Sequence, residues 1–328
     1  MRRPTLADIA AEAGVSVALV SIVMREAPGA SAATRQRVLE VARRLDYRPD
    51  SRARLLRSGE SRLLGVVFSV RHPFHDDLLT GLYDAADKAG YELTLSAVTP
   101  RRDERTAIAS LLQDRCAALI LLGPLVPAAE LAGLAARLPV VVLTRRVRQK
   151  TVDVVRTDDP RGLHLAVDHL VELGHRRIVH VDGARWVASD DRRRGYREAM
   201  RRHGLEAYAR VIPGGSGEED GARAARLLLD DPPTAVAMFN DLAATGLLDV
   251  LRRSGLDVPG DISVVGYDDS SFSRLAHIDL TTVAQDIDTM TALAVSRAVE
   301  RIGGAHVVHR ETVIAPRLVI RGTTGPPR

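Results

Sequence analysis

The sequence predicts a small all-helical head of the helix-turn-helix type, followed by an α/β core built on parallel sheets. Three observations carry that expectation. Helical apolar periods with capping residues run from Thr5 to Leu45, the excess positive charge falls in the first 61 residues, and from Leu63 onward short apolar runs alternate with helical patterns. A chain of 328 residues has room for two or three domains and a substantial core.

In TLADIAAEAG, Thr5 can cap a helix whose apolar positions Leu6, Ile9, Ala10 and Ala13 follow the 3.6 period, and Gly14 can end it at positive φ. Ser16 then caps a second helix, with Val20 and Val23 inward beside Leu19 or Met24. Its opposite face carries Val17, Ala18, Ser21, Ile22 and Arg25. A third helix begins at Ser31, or near Thr34, and turns Val38, Val41, Ala42 and Leu45 inward. Two helices joined by a tight glycine-containing turn form the helix-turn-helix pattern. Residues 46–61, DYRPDSRARLLRSGES, read as a connector. Pro49 can start a short helix and Gly59 end it, but Arg52, Arg54 and Arg57 around Leu55 and Leu56 give it little reason to be helical without a partner.

Beyond the connector, the runs LLGVVFSV, YELTLSAV, CAALILL, LPVVVL, RIVHV, AVAMFN and ISVVGY are predicted strands. Between them lie helical stretches such as DLLTGLYDAADKAG and PRGLHLAVDHLVELGH. Such alternation predicts parallel sheets covered on both faces, with ligands bound at the carboxyl ends of the strands.

Composition excludes several classes. Aromatic residues make up only 3% against 45% hydrophobic, so Ala, Val, Leu and Ile must fill the core. No run approaches the ~20 apolar residues of a membrane span, and MRRPTLADIA is too polar for a signal peptide, so a cytoplasmic protein without a membrane partner is expected. The one cysteine, Cys116, allows no internal disulfide or cysteine cluster and reads as a small core residue. The histidines show no zinc spacing; His72 and His75 in RHPFHDD form the close pair of interest, and neither metal nor cofactor is expected. PGGSGEED lacks the GK[ST] of a phosphate loop, and Glu218 and Glu219 would oppose an anion there. With no nucleophile elbow, kinase signature or recognisable catalytic carboxylate pair, an enzyme is not expected. Of 46 basic and 42 acidic residues, the first 61 positions hold 11 arginines and 7 acidic residues, leaving 35 of each sign elsewhere. That asymmetry suits a head that meets a polyanion and a core that does not.

The stretches TLADIAAEAGVS, SAATRQRVLEVARRLDYRPD, ARLLRSGES, HLVELGHRRI, RRRGY, FNDLAATGLLDVLRRSGLDVPGDISVVGYDD, LTTVAQD and LVIRGTT together resemble the lactose/galactose repressor family over nearly the whole chain. The resemblance implies a homodimeric, ligand-responsive transcription factor, most simply a repressor of carbohydrate uptake or catabolism genes. Its head binds a pseudo-palindromic operator in double-stranded DNA, and its two-lobed core is similar to periplasmic sugar-binding proteins. It implies a DNA-binding domain at 1–48, a hinge at 49–61, a core at 62–324 and a disordered tail at 325–328. One lobe would hold 62–156 and 286–312, the other 157–285 and 313–324. Some members extend past the core with a heptad helix that makes tetramers; this chain stops at Arg328, so a dimer is expected.

By the same resemblance, DNA contacts fall to Thr5, Leu6, Ser16, Val17, Ala18, Ser21, Ile22, Arg25, Ser31 and Thr34. In the hinge, Leu56 matches a leucine wedged into the minor groove and Ala53 the small residue that lets paired hinge helices approach. The head departs from the family pattern at Leu19, Ile22, Arg25 and Asp50, where Thr, Arg, Asn and Asn are usual. Either the code has shifted toward thymine methyl contacts by Val17, Ala18 and Ile22, or the head binds weakly and leans on hinge and phosphates. Effector contacts would come from Arg192, Asn240, Asp268 and Gln285, with His72 and Phe74 at the lip, while Trp186, in the loop before Arg192, can supply a stacking face. One guanidinium, one amide and one carboxylate suit a neutral polyol or sugar. Structural alternatives are that Arg192 pairs with Asp190 or Asp191, Asp268 caps a turn, and Phe74 and Trp186 merely pack. A pure solute-binding protein, a nucleobase effector and an enzyme using the crevice are the alternative functions.

Overall fold

The computed structural model describes residues 4–24, 27–47, 61–72 and 74–328. The chain divides into two compact units, Met1–Ser61 and Arg62–Arg328. The expectations placed on Arg25, Asp50, Ala53 and Leu56 lie outside the described residues.

The head contains α1 (Leu6–Ala13), α2 (Val17–Met24) and α3 (Ala32–Arg44). Thr5 and Asp8 form a capping box, the Thr5 amide donating to Asp8 Oδ2 at 2.7 Å, and Gly14 ends α1 at φ 66°. That left-handed residue lets the chain turn, so that α1 and α2 meet at 108°. Ile9, Ala10, Ala13, Val20, Val23, Val38, Val41 and Ala42 form the core. Met24, not Leu19, is the further α2 residue packed against it. Arg35 on α3 donates to the Ala27 carbonyl at 2.8 Å and so ties the third helix to the end of the second. Ser31 is the N-cap of α3, its hydroxyl accepting from the Thr34 amide.

The second unit holds two six-stranded sheets. The first contains β1 (Leu63–Ser69), β2 (Glu92–Val98), β3 (Ala118–Leu122), β4 (Val140–Leu143), β5 (Asp153–Thr157) and β11 (Glu311–Ile314), in the order β11-β5-β4-β3-β1-β2. The second contains β6 (Ile178–Val181), β7 (Arg210–Ile212), β8 (Ala235–Met238), β9 (Ser263–Asp268), β10 (Thr281–Ala284) and β12 (Arg317–Val319), in the order β12-β10-β9-β8-β6-β7. All pairings are parallel except β12 with β10.

Helices cover both faces of each sheet, which is why strands such as β3 are apolar throughout and wholly buried. In the first lobe α4 (Phe74–Lys88) and α11 (Ile287–Ile302) seal one face, and α5 (Glu104–Gln113) with α6 (Ala128–Ala135) the other. In the second, α7 (Asp159–Glu172) and α8 (Ser189–Arg202) lie opposite α9 (Glu218–Leu228) and α10 (Asp241–Arg253). The last two helices touch backbone to backbone: a Cβ at Gly221 would overlap the Ala243 carbonyl oxygen.

Three chain segments connect the lobes, after β5, after β10 and between β11 and β12, and two expectations need correction. The third crossing falls at residues 315–316 rather than between 312 and 313, because β11 continues pairing with β5 through Ile314. The terminal residues 325–328 are not disordered. Gly325 pairs through its amide and carbonyl with Ser263 and His175, and Arg328 reaches Asp261 at 3.1 Å and Asp257 at 3.2 Å. Among the described residues no single helix is long and apolar enough to cross a membrane.

Candidate functional site

Both sheets aim their carboxyl ends at one cleft. From the first lobe come His72 after β1, Leu122 and Gly123 at the end of β3, and Thr144 after β4. The second supplies Trp186 after β6, Phe239 after β8, Asp268 ending β9 and Gln285 after β10. They enclose a cavity of about 310 Å³, a size suited to a small molecule. Thr144, Ala188 and Asp268 line it in left-handed conformations, at φ 65°, 67° and 113°. Non-glycine residues held there cost about 1–3 kcal/mol each, and such strain gathers where side chains must be aimed.

Arg192, in the first turn of α8, is the centre of the second-lobe wall. It is buried; its Nε donates to Asp159 Oδ1 at 2.8 Å, its Nη1 to the Phe239 carbonyl, and Nη2 stands 3.6 Å from Asp268. The guanidinium carbon lies over the rings of Tyr267 and Phe239, 3.5 and 4.7 Å from their centroids. Burial works against its charge, but Asp159, Tyr267 and Asp268 outweigh that and hold its pKa above the ordinary value. Burial raises the carboxyl pKa values of Asp159 and Asp268, and Arg192 opposes the rise. The pairing of Arg192 with Asp190 or Asp191 does not occur. Those carboxylates are taken by Arg193 and Arg194, both at 2.8 Å.

Asp268 also does more than end a strand. Gln285 Nε2 donates to it at 2.8 Å, and Thr157 Oγ1 donates to Gln285 Oε1 at 2.5 Å, so two of the three interlobe connections are hydrogen-bonded beside the cavity. Asn240 is a correction to the expected ligand set. It is buried as the N-cap of α10, its Oδ1 accepting from the Ala243 amide at 2.9 Å and its Nδ2 donating to the Ser216 carbonyl at 3.0 Å, and it does not line the cavity.

His72 stacks on His75 at 4.6 Å and meets the edge of Trp186, across the cleft, at 5.7 Å. Its Nδ1 is buried with no hydrogen-bond partner among the described residues. Burial, then the nearby Arg192, lowers its pKa to about 4. Burial likewise holds His75 well below the ordinary histidine range, and its Nδ1 accepts from the Ser69 amide at 2.9 Å. Both rings are therefore neutral near pH 7. Phe74 is 2% exposed; it packs the first-lobe core and also lines the cavity.

Asp159, Phe239 and Tyr267 were not expected at the site. Asp159 reads in DDPRG as a helix start, and nothing local signals an arginine 33 positions later in the chain. Among the described residues no group of metal-ligating side chains has the spacing to hold an ion.

On the head, Val17 is 46% exposed and Ala18 is exposed, while Ile22 is partly buried against the turn at Gly29. The hydroxyl of Ser16 accepts from the Leu19 amide at 3.2 Å, and Thr5 is engaged with Asp8. Leu6 leans on the head core, and Ser31 and Thr34 share a hydrogen bond of 2.9 Å. The most open part of the α2 face is thus carbon.

Comparison with known proteins places both parts. A family described as bacterial regulatory proteins, lacI family, matches residues 5–50, and a periplasmic binding protein-like domain matches residues 167–324. The HTH-type transcriptional regulator GalR of Escherichia coli is 34% identical over 98% of this chain and 96% of its own length. The crystal structure of a LacI transcriptional regulator from a Rhodococcus species is 50% identical, covers 80% of this chain and 98% of its own, and superposes with a TM-score of 0.78. The lac repressor dimer bound to operator and the anti-inducer ONPF is 30% identical over 99% of this chain and 100% of its own, with a TM-score of 0.85.

Proposed function

Since this chain belongs to the lacI family of bacterial regulatory proteins, we propose that its head reads an operator and its cleft binds the effector that alters operator affinity. It is a ligand-responsive, DNA-binding helix-turn-helix transcriptional regulator, and we assign it the role of repressor of carbohydrate uptake or catabolism genes, acting in the cytoplasm and not as an enzyme. Two heads of a homodimer would occupy successive major grooves, with arginines neutralising phosphates, so affinity falls steeply with salt. Leu56 and Ala53 are proposed to act between them in the minor groove, the wedge bending the duplex to fit both heads. Effector bound between the lobes biases their closure, and by linkage operator and effector change each other's affinity by the same factor.

The observation that supports the effector site best is the Arg192–Asp268–Gln285 group facing His72 across a single cavity. A guanidinium, a carboxylate and a neutral imidazole offer both donors and acceptors to hydroxyl groups, and Trp186 and Phe239 offer rings to a sugar's C–H faces. The lac repressor dimer bound to operator and anti-inducer supports the coupling of the two sites.

Selection of random double-stranded DNA by the full-length protein at two salt concentrations, repeated with Leu56→Ala, tests the reading. A pseudo-palindrome with a flexible central step, lost in the variant, is expected. Salt-sensitive binding without sequence preference in the parent protein would overturn the operator-reading role.

A further inference from the structure

The cavity's charges are distributed in a way that restricts the effector further. Of the ionisable groups lining it, four are carboxyl groups, Asp103, Glu104, Asp159 and Asp268, the last three with pKa values raised by burial, and one is a guanidinium, Arg192. Arg192 is already held by Asp159, the Phe239 carbonyl and two ring faces, leaving only its Nη2 edge, which stands 3.6 Å from Asp268. The two imidazoles that could add positive charge, His72 and His75, are kept neutral by burial. The chain has only two lysines, Lys88 and Lys150, and neither lines the cavity.

Among the described residues, the α-helix N-termini of the second unit offer no anion seat free of a carboxylate. A helix N-terminus attracts phosphate unless a carboxylate already stands there. All eight α-helices described in the second unit carry an acidic residue in the first turn, including Asp76 and Asp77 on α4, Glu104 on α5, Asp159 on α7, Asp190 and Asp191 on α8, and Asp241 on α10. Among the described residues that line the cavity, His72 Nδ1 is the buried polar side-chain atom without a hydrogen-bond partner, and it suits a hydroxyl group.

The geometry points to an uncharged polyhydroxyl effector: this regulator binds a free sugar or glycoside and rejects the corresponding phosphate ester. The inference rests on the carbohydrate reading above and adds a position in a reaction sequence. The effector is the material taken up or released by glycoside hydrolysis, before any phosphoryl transfer, and a kinase acting on it removes the signal.

Trp186, the single tryptophan, lines the cavity, so its fluorescence reports binding directly. The full-length protein is titrated with matched pairs: galactose and galactose 1-phosphate, glucose and glucose 6-phosphate, ribose and ribose 5-phosphate, cellobiose and its 6′-phosphate, and maltose and its 6′-phosphate. The expected result is saturable binding of at least one neutral probe. Its phosphate ester binds at least ~100-fold more weakly, because Arg192, the one guanidinium lining the cavity, is already engaged by Asp159, the Phe239 carbonyl and two rings and leaves the added charge without a free counter-ion. An ester that binds as tightly as its free sugar, or that binds alone, overturns this inference and leaves the carbohydrate reading standing. Binding of no member, checked by thermal unfolding as a second readout, overturns both.

Discussion

The Cζ atom of Arg192 lies 3.5 Å from the centroid of the Tyr267 ring, so the one cation of the cleft rests on an aromatic floor with Asp159 beside it. Removing the cation leaves two buried carboxylates without their counter-charge. Arg192→Met is expected to cost about 3–5 kcal/mol in urea unfolding, the usual penalty for breaking a buried pair from one side. Arg192→Lys should recover only part of this, since an ammonium cannot stack on the ring and reach Asp159 and the Phe239 carbonyl together. A stability equal to the parent's in both variants would remove Arg192 from the centre of the site.

His72 touches Trp186 from the opposite lobe and directs no other group at its buried Nδ1 among the described residues. His72→Ala should change the fluorescence of Trp186 without ligand. It should also weaken a bound sugar by about tenfold, the worth of one hydrogen bond of ~1–1.5 kcal/mol. Unaltered affinity would mean that the ring only packs.

His180 on β6 is fully buried, with Nδ1 bonded to the Ala237 carbonyl at 2.9 Å, and burial holds its pKa at about 4. The unfolded chain therefore binds the proton more readily. The stability tied to the neutral ring is complete above pH ~6.5 and is lost as pH falls through about 4, by up to ~3 kcal/mol. Burial raises Asp241 instead, and its contribution runs the other way, lost as pH rises. Denaturation midpoints at pH 7.5 and pH 5 for parent and His180→Gln separate the two. A smaller drop on acidification in the variant is expected, and an equal drop refutes the assignment.

Gly221 faces the Ala243 carbonyl oxygen, a backbone atom that no rotamer change can move. Gly221→Ala should force α9 and α10 apart and destabilise the core by about 1–3 kcal/mol, read as a lower urea midpoint.

Ile9 is fully buried in a head core of eight buried side chains among the described residues. Ile9→Ala should cost about 2–5 kcal/mol, enough to unfold so small a unit. Sequence-selective DNA binding should disappear while sugar-induced Trp186 fluorescence survives, because the head and the core are separate compact units.

By itself the sequence determined everything that depends on neighbours along the chain. Thr5 announces the first helix, Gly14 the turn, the 3.6 period the inward Val20 and Val23, and the apolar runs the parallel strands, because caps, left-handed turns and amphipathic faces are local properties. Family resemblance further brought Arg192, Asp268 and Gln285 to one cleft. Tertiary structure alone decided what those side chains do there. Asp159 and Phe239 reach Arg192 from positions 33 and 47 residues away, the Asn240 side-chain amide donates to the Ser216 carbonyl 24 positions earlier, and β11 stays with the first sheet through Ile314. The neutrality of His72 was likewise illegible, since burial and the distance to Arg192 exist only once both lobes have closed around the same space.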